Sequence, residues 1–222
     1  MKILIVSATD FEIKPLLDFY RISTLNSNEI YKDNISKNLK IDFLVTGIGM
    51  VNTAIKVTKY LNNNYDLILN VGICGSFKTN LNIGNVVYIY QDILSEMGAE
   101  DDQNFITYDK LNLPGTNIYA DSLNKNTELF NNLIKVKGIT VNKVHGNNLS
   151  INNTLKIYNP DVESMEGAAF FAACKESNAE YCQIRAISNF IEKRNKSKWN
   201  IPLAIENLNS VVLDYLENKL WK

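Results

Sequence analysis

Histidine and arginine are nearly absent from this chain, and each shortage removes a class of chemistry. A single histidine, His145, stands in 222 residues, so any Ser-His-Asp or Cys-His system would have to be built on that one position. The three cysteines, Cys74, Cys174 and Cys182, are an odd number without CxxC spacing. They leave a zinc centre short of ligands and give no paired set for a disulfide framework. Arginine occurs only at Arg21, Arg185 and Arg194, amid abundant Asn, Ile and Lys that read as a bias toward A/T-rich codons. Acid–base work therefore falls to carboxylates.

Long apolar runs are also missing. None approaches the roughly 18 to 20 residues needed to cross a bilayer, and the opening Ile3 to Ala8 run is cut off by Asp10, Glu12 and Lys14, too soon for a signal peptide. A cytoplasmic protein with reduced thiols and no membrane partner is expected. Charge of either sign is not in excess: 23 basic side chains face 24 acidic ones, which argues against nucleic acid as a partner. With 45% hydrophobic residues, a chain of this length can bury a substantial core without staples, and one domain over residues 1–222 is expected.

The hydrophobic pattern alternates between strand-like runs and helical spacings. Ile3 to Ala8 reads as a strand and Asp10 to Tyr20 as a helix. Short β-prone runs follow at Ile30-Tyr31 and Ile41 to Val45. Val51 to Leu61 reads as a helix, and Asp66 to Val71 as a strand buried on both faces that Gly72 to Ser76 would break. Asn85 to Tyr90 is the next strand. Residues 95–135 read mostly as loop, with a turn at Pro114-Gly115 and a short helix at Thr127 to Lys135. Gly138 to Val144 is β-like, Ala168 to Ser177 a helix of small residues, Tyr181 to Ile187 a strand, and Pro202 to Leu220 an amphipathic helix. The expected fold class is α/β, a three-layer αβα domain with a mixed central sheet.

Three places concentrate polar chemistry between these elements. Thr46-Gly47-Ile48-Gly49 joins a strand to a helix and resembles half of a dinucleotide fingerprint. Asn52 replaces the third glycine, however, and a tight turn explains the glycines equally well. Thr9-Asp10-Phe11-Glu12 is a capping-box pattern, yet Glu12 also follows the first strand, where open α/β sheets bind ligands. One carboxylate cannot easily serve both purposes. Asp161, Glu163 and Glu166 crowd the entrance of a helix, where charge at the N-terminus is favourable; a fixed carboxylate there could instead accept from ribose hydroxyls. Arg185, in an apolar strand, requires compensation from some partner.

Taken in order, Glu12, Gly47-Ile48-Gly49, Asn70-Val71-Gly72-Ile73-Cys74-Gly75, Met165-Glu166 and Arg185-Ala186-Ile187-Ser188-Asn189 resemble the purine nucleoside phosphorylase and nucleosidase superfamily. Val162 to Phe171, Gln183 to Asn189 and Trp199 to Ile205 are most similar to its futalosine hydrolase branch, enzymes of menaquinone biosynthesis. The resemblance implies a metal-free and cofactor-free hydrolase of a purine nucleoside, assembled as a homo-oligomer. It implies that Glu12 activates water, that Glu166 and Met165 hold the ribose, and that Arg185 orders the carboxylates and water. Ile73 and Ser188 would line the pocket, Met50 and Trp199 would enclose the 5′ substituent, and Asn148 and Leu149 would lie beneath the base. His145 is expected to be structural.

Asn189 departs from the related methylthioadenosine and adenosylhomocysteine nucleosidases, which carry an aspartic acid there. Asn189 cannot supply a proton to purine N7, but its amide can donate to N7 or O6, which suits hypoxanthine without excluding an aminopurine. Superfamily phosphorylases hold phosphate with basic side chains. With Arg185 assigned, Arg21 after the first helix and Arg194 in a charged surface loop with Lys193, Lys196 and Lys198, water is favoured as the nucleophile, although lysines could still hold phosphate. Another nucleosidase, a phosphorylase and a non-catalytic nucleoside-binding module remain as alternatives.

Overall fold

A computed structural model describes residues 1–22, 30–34, 39–61, 64–123, 130–175 and 177–219. Its centre is one nine-stranded mixed sheet. The strands are β1 (Lys2–Ser7), β2 (Ile30–Asn34), β3 (Lys40–Val45), β4 (Leu67–Ser76), β5 (Val86–Leu94), β8 (Ile118–Ala120), β9 (Ile134–Thr140), β10 (Val162–Ser164) and β11 (Glu180–Phe190), while β6 (Gly98–Asp101) and β7 (Asn104–Thr107) form a separate hairpin. Helices α1 (Lys14–Phe19), α2 (Met50–Tyr60), α3 (Asn148–Tyr158), α4 (Gly167–Cys174) and α5 (Ile201–Asp214) accompany them. Among the described residues no helix is long and apolar enough to cross a membrane.

The period-2 alternation of the central strands creates two cores. Along β1, Ile3 and Ile5 join Leu16 and Leu17 of α1 and Leu208 and Val212 of α5, whereas Leu4 and Val6 join Val57 of α2 and Phe170 and Phe171 of α4. The sheet is therefore sandwiched, and both faces of β1 are apolar because both are covered. Strand order runs β10-β9-β5-β11-β4-β1-β3-β2, with β8 paired to β5. Because β10 pairs with β4 as well as with β9, strands β4, β11, β5, β9 and β10 close into a ring. The parallel strands β1, β3, β4 and β11 direct their carboxyl ends the same way.

Several expectations need correction. Gly72 to Ser76 does not break β4, which continues to Ser76 because β11 pairs with it throughout. The 95–135 stretch is largely turn and loop among its described residues, but β6, β7 and β8 interrupt it and β9 begins there. The expected helix at Thr127 to Lys135 lies partly outside the described residues; Phe130 to Leu133 is turn, and Ile134 and Lys135 belong to β9. β9 ends at Thr140, short of the expected Val144. Helix α3 was not expected at all. Asn147 caps it, its side chain accepting from the amides of Leu149 and Ser150, so the polar Gly146 to Ser150 run leads into a helix.

A buried acid supports the sheet beneath α4. Asp92 on β5 accepts from Thr140 Oγ1 at 2.8 Å and from Gln183 Nε2 at 2.9 Å. Gly138 and Gly167 leave it room, for a Cβ on either would press on its Oδ2. Burial pushes the Asp92 carboxyl up to about 6 from an ordinary 3.8, against the opposing pull of its hydrogen bonds and Arg185. The folded protein thus keeps a proton that the unfolded chain releases, and stability is lost as pH rises through that interval. Asp92→Asn should melt higher than wild type above pH 6, with the difference shrinking toward pH 4 in thermal melts. A difference independent of pH would contradict this.

Candidate functional site

A cavity of about 410 Å³ opens at the carboxyl ends of the parallel strands. Glu12, Ile73, Met165, Glu166, Ser188, Asn189 and Trp199 all line it, so seven of the eleven side chains singled out from sequence meet there. Arg185 lies behind the wall, 1% exposed. Met50, Asn148 and Leu149 are not brought to the cavity. Ile48, two residues before Met50, lines it instead, and Leu149 faces outward at 71% exposure on the first turn of α3.

Glu12 follows β1 in a short 3-10 turn, Phe11–Ile13. Its Oε2 accepts from the Thr9 amide at 3.0 Å while the Thr9 hydroxyl accepts from the Glu12 amide at 3.3 Å, the reciprocal bonds of a capping box. The hydroxyls of Thr9 and Ser7 also reach Oε2, at 2.9 and 3.3 Å, and Oε1 accepts from the Ile73 amide at 3.0 Å. The expectation that one carboxylate cannot cap and face a ligand site is therefore corrected. Capping engages Oε2 alone and leaves Oε1, with one donor, a free acceptor position.

Glu166 stands between β10 and α4. Its Oε1 accepts from the Gly49 amide at 3.0 Å and its Oε2 from the Met165 amide at 3.2 Å. The glycine turn after β3 thus serves a carboxylate rather than a dinucleotide. Gly49 has φ +96° and ψ 159°, a conformation that only glycine adopts readily, and this turns its amide toward Glu166. Burial raises the Glu166 pKa above the usual range, an effect that the nearby Arg185 cation partly offsets.

The compensation that Arg185 requires comes from an amide rather than an acid. Among the described residues no carboxylate lies within 4.0 Å of its guanidinium; Nη2 donates to Asn70 Oδ1 instead, and Asn70 Nδ2 donates to the Val6 carbonyl at 3.1 Å. Nε has no partner among the described residues. Arg185 pairs in register with Gly72 across β4 and β11. A Cβ on Gly72 would overlap Nη1 and come within 2.9 Å of Glu12 Oε1. Arg185 therefore acts on the carboxylates through space rather than by bonding them.

Ser188 and Asn189 line the same cavity although adjacent strand residues normally face opposite ways. The cause is a bulge: Ile187 pairs with Cys74 and Asn189 with Gly75, leaving Ser188 as the extra residue. The Ser188 hydroxyl donates to Asn189 Oδ1 at 2.8 Å, and Asn189 Nδ2 donates to the Phe190 carbonyl at 3.0 Å. These bonds orient the amide and leave one N–H for a ligand.

His145 and Glu163 also line the cavity. Glu163 accepts from the His145 amide at 2.9 Å and meets Nδ1 at 2.6 Å, while Nε2 meets Thr154 Oγ1 at 2.8 Å. Both ring nitrogens are occupied, which leaves neither to act on a substrate. Glu163 escaped notice as its partner because the two residues are 18 positions apart. Cys74 is on the wall too, but burial pushes its thiol up to about 12, so it is no nucleophile. Among the described residues no three His, Cys, Asp or Glu side chains are grouped to hold a metal ion.

A family model described as the phosphorylase superfamily matches residues 2–217. The futalosine hydrolase of Thermus thermophilus is 26% identical over 177 residues, covering 77% of this chain and 78% of that protein. The 5′-methylthioadenosine/S-adenosylhomocysteine nucleosidase of Haemophilus ducreyi is 27% identical, covering 98% of each. The solved structure of futalosine hydrolase from Helicobacter pylori has a TM-score of 0.77 at 17% identity over 96% of this chain and 98% of that one, a likeness of fold.

The missing side chain at position 72 is itself testable. Gly72→Ala should lower the unfolding free energy by about 1–3 kcal/mol, the usual range for overpacking, as read from urea denaturation, with Arg185 and Glu12 displaced in a structure of the variant. Wild-type stability with both side chains unmoved would contradict the close approach described here.

Proposed function

The chain belongs to the phosphorylase superfamily, and we propose that within it the protein is a nucleosidase that cleaves the N-glycosidic bond of futalosine with water, giving hypoxanthine and dehypoxanthine futalosine. The observation that carries this reading is the pair of carboxylates, Glu12 and Glu166, held in one cavity by different donors. Cleaving a nucleoside between C1′ and N9 leaves positive charge on the sugar and negative charge on the base. Water then needs a base on the far face and the purine needs donors.

Glu12 Oε1 has the acceptor position for that water proton, while the bonds to Oε2 keep the carboxylate from turning away. As water oxygen bonds to C1′ and its proton passes to Glu12, the C1′–N9 electrons leave with the base, which takes a proton from solvent while Glu12 releases its own there. Glu166 accepts from the ribose hydroxyls, with Met165 against the sugar. The remaining Asn189 N–H donates to N7 or O6, neutral acceptors on hypoxanthine that do not require a proton from the enzyme. Arg185 is a positioning residue, since it reaches neither substrate nor cavity.

The case for water over phosphate changes form. Arg194 is not confined to a surface loop but lines the cavity, so scarcity of arginine alone does not decide the nucleophile. Three carboxylates, Glu12, Glu163 and Glu166, line the same cavity and would repel a phosphate dianion. The similarity to the Haemophilus ducreyi protein along nearly its full length supports methylthioadenosine as the second reading.

Chromatography of futalosine, inosine, methylthioadenosine and aminodeoxyfutalosine, each with and without phosphate, decides among them. Hypoxanthine should appear from futalosine independently of phosphate; preferential adenine release from methylthioadenosine selects the second reading, and phosphate dependence selects a phosphorylase. Glu12→Gln should lower kcat by about 10²–10⁴-fold without loss of fold, and undiminished turnover would remove Glu12 from the mechanism. Because burial lifts the Glu166 pKa, the carboxylate should gain its proton at a higher pH than an ordinary glutamate. Falling pH should therefore depress kcat/KM in a limb that begins above pH 4.5, an ordinary glutamate value, and Glu166→Gln should lack that limb.

A further inference from the structure

The cavity wall contains a cation that no carboxylate of the described chain neutralises. Arg194 lines the cavity with its guanidinium carbon 5.0 Å from the ring centroid of Trp199, another lining residue. Among the described residues it makes no ion pair within 4.0 Å, whereas Lys198 in the same loop is paired to Glu192 at 2.8 Å. The three cavity carboxylates have other partners: Glu12 the Ser7, Thr9 and Ile73 groups, Glu163 His145, and Glu166 the Gly49 and Met165 amides. An arginine that shares a cavity with three acids and pairs with none is available to an incoming anion.

Its surroundings limit what that anion can be attached to. The exposed apolar side chains Phe11 and Ile48, 61% and 57% exposed, line this cavity together with Ile191 and Ile201. A guanidinium lying over an indole uses its face for the ring and keeps its N–H donors at the edge, where they match the two oxygens of a carboxylate. An apolar wall with a planar fork of donors fits a flat hydrophobic group ending in a carboxylate.

We propose that Arg194, lying over Trp199, is the specificity-determining subsite for a 5′ aromatic carboxylate on the nucleoside. The proposal deepens the nucleosidase reading and rests on it. Arg194 takes no part in bond cleavage; its contribution is the binding of a substituent remote from C1′, and it selects acidic over neutral 5′ groups.

The test compares futalosine with its carboxyl methyl ester, using inosine and methylthioadenosine as nucleosides without a 5′ anion. Wild type should prefer the acid over the ester in kcat/KM. Arg194→Gln should lose at least ten-fold more on the acid than on the ester, mainly through KM, so that the preference falls toward unity. Arg194→Lys, which keeps the charge without the fork, should fall between. Circular dichroism of each variant establishes that the fold is retained, as expected for an exposed side chain. Equal losses on acid and ester, or no loss on the acid, would overturn the subsite. So would wild-type base release from inosine or methylthioadenosine but none from futalosine, an outcome that keeps a nucleosidase but replaces futalosine as its substrate. Failure to release base from any of the nucleosides would overturn that reading and the subsite with it.

Discussion

The site depends on a side chain that is missing. Gly72 lies opposite Arg185 across the parallel pair β4 and β11, and the space a Cβ would fill holds Arg185 Nη1 beside Glu12 Oε1. A cation buried at that point in the sheet would be intolerable without a polar contact. Asn70, two residues earlier on the same face of β4, provides it and is tied in turn to the Val6 carbonyl of β1. Three adjacent strands are thus committed to holding one guanidinium, and that guanidinium tempers the burial of Glu166. Register between β4 and β11 cannot slip without placing a side chain where the guanidinium must lie.

Environment then separates two chemically equivalent carboxylates. Glu12 is anchored mostly through one oxygen, by hydroxyls and an amide near its own turn, and the other oxygen accepts from a single amide and has capacity to spare. Glu166 receives one backbone amide on each oxygen and is raised in pKa by burial. The first arrangement suits proton abstraction from water, the second a fixed grip on vicinal hydroxyls. The division of labour proposed for them follows from their donors rather than from their residue type.

Local patterns were legible where the physics is local. Alternating apolar runs marked the central strands, and the capping spacing of Thr9 and Glu12 corresponds to bonds that form. Where the pattern failed, a neighbour overrode it. Gly72 to Ser76 looks like a strand break, yet β11 pairs along it. Asn148 and Leu149 look like a loop under a ligand, yet Asn147 turns that run into the start of α3 and Leu149 points outward. Met50 misses the cavity because α2 begins there, while Ile48 in the preceding turn reaches it.

By itself the sequence determined the α/β class, the resemblance to the superfamily and the ordered set of strand ends from which most of the lining comes. The class is carried by periodicity, and the resemblance by short motifs that keep their order along the chain. Only the tertiary structure decided that Asn70 answers Arg185, that a bulge turns both Ser188 and Asn189 into one cavity, and that Arg194 lies over Trp199 at its wall. Those contacts depend on strand register and on where a loop returns. Both are set by packing among residues far apart in sequence, where no local spacing records them.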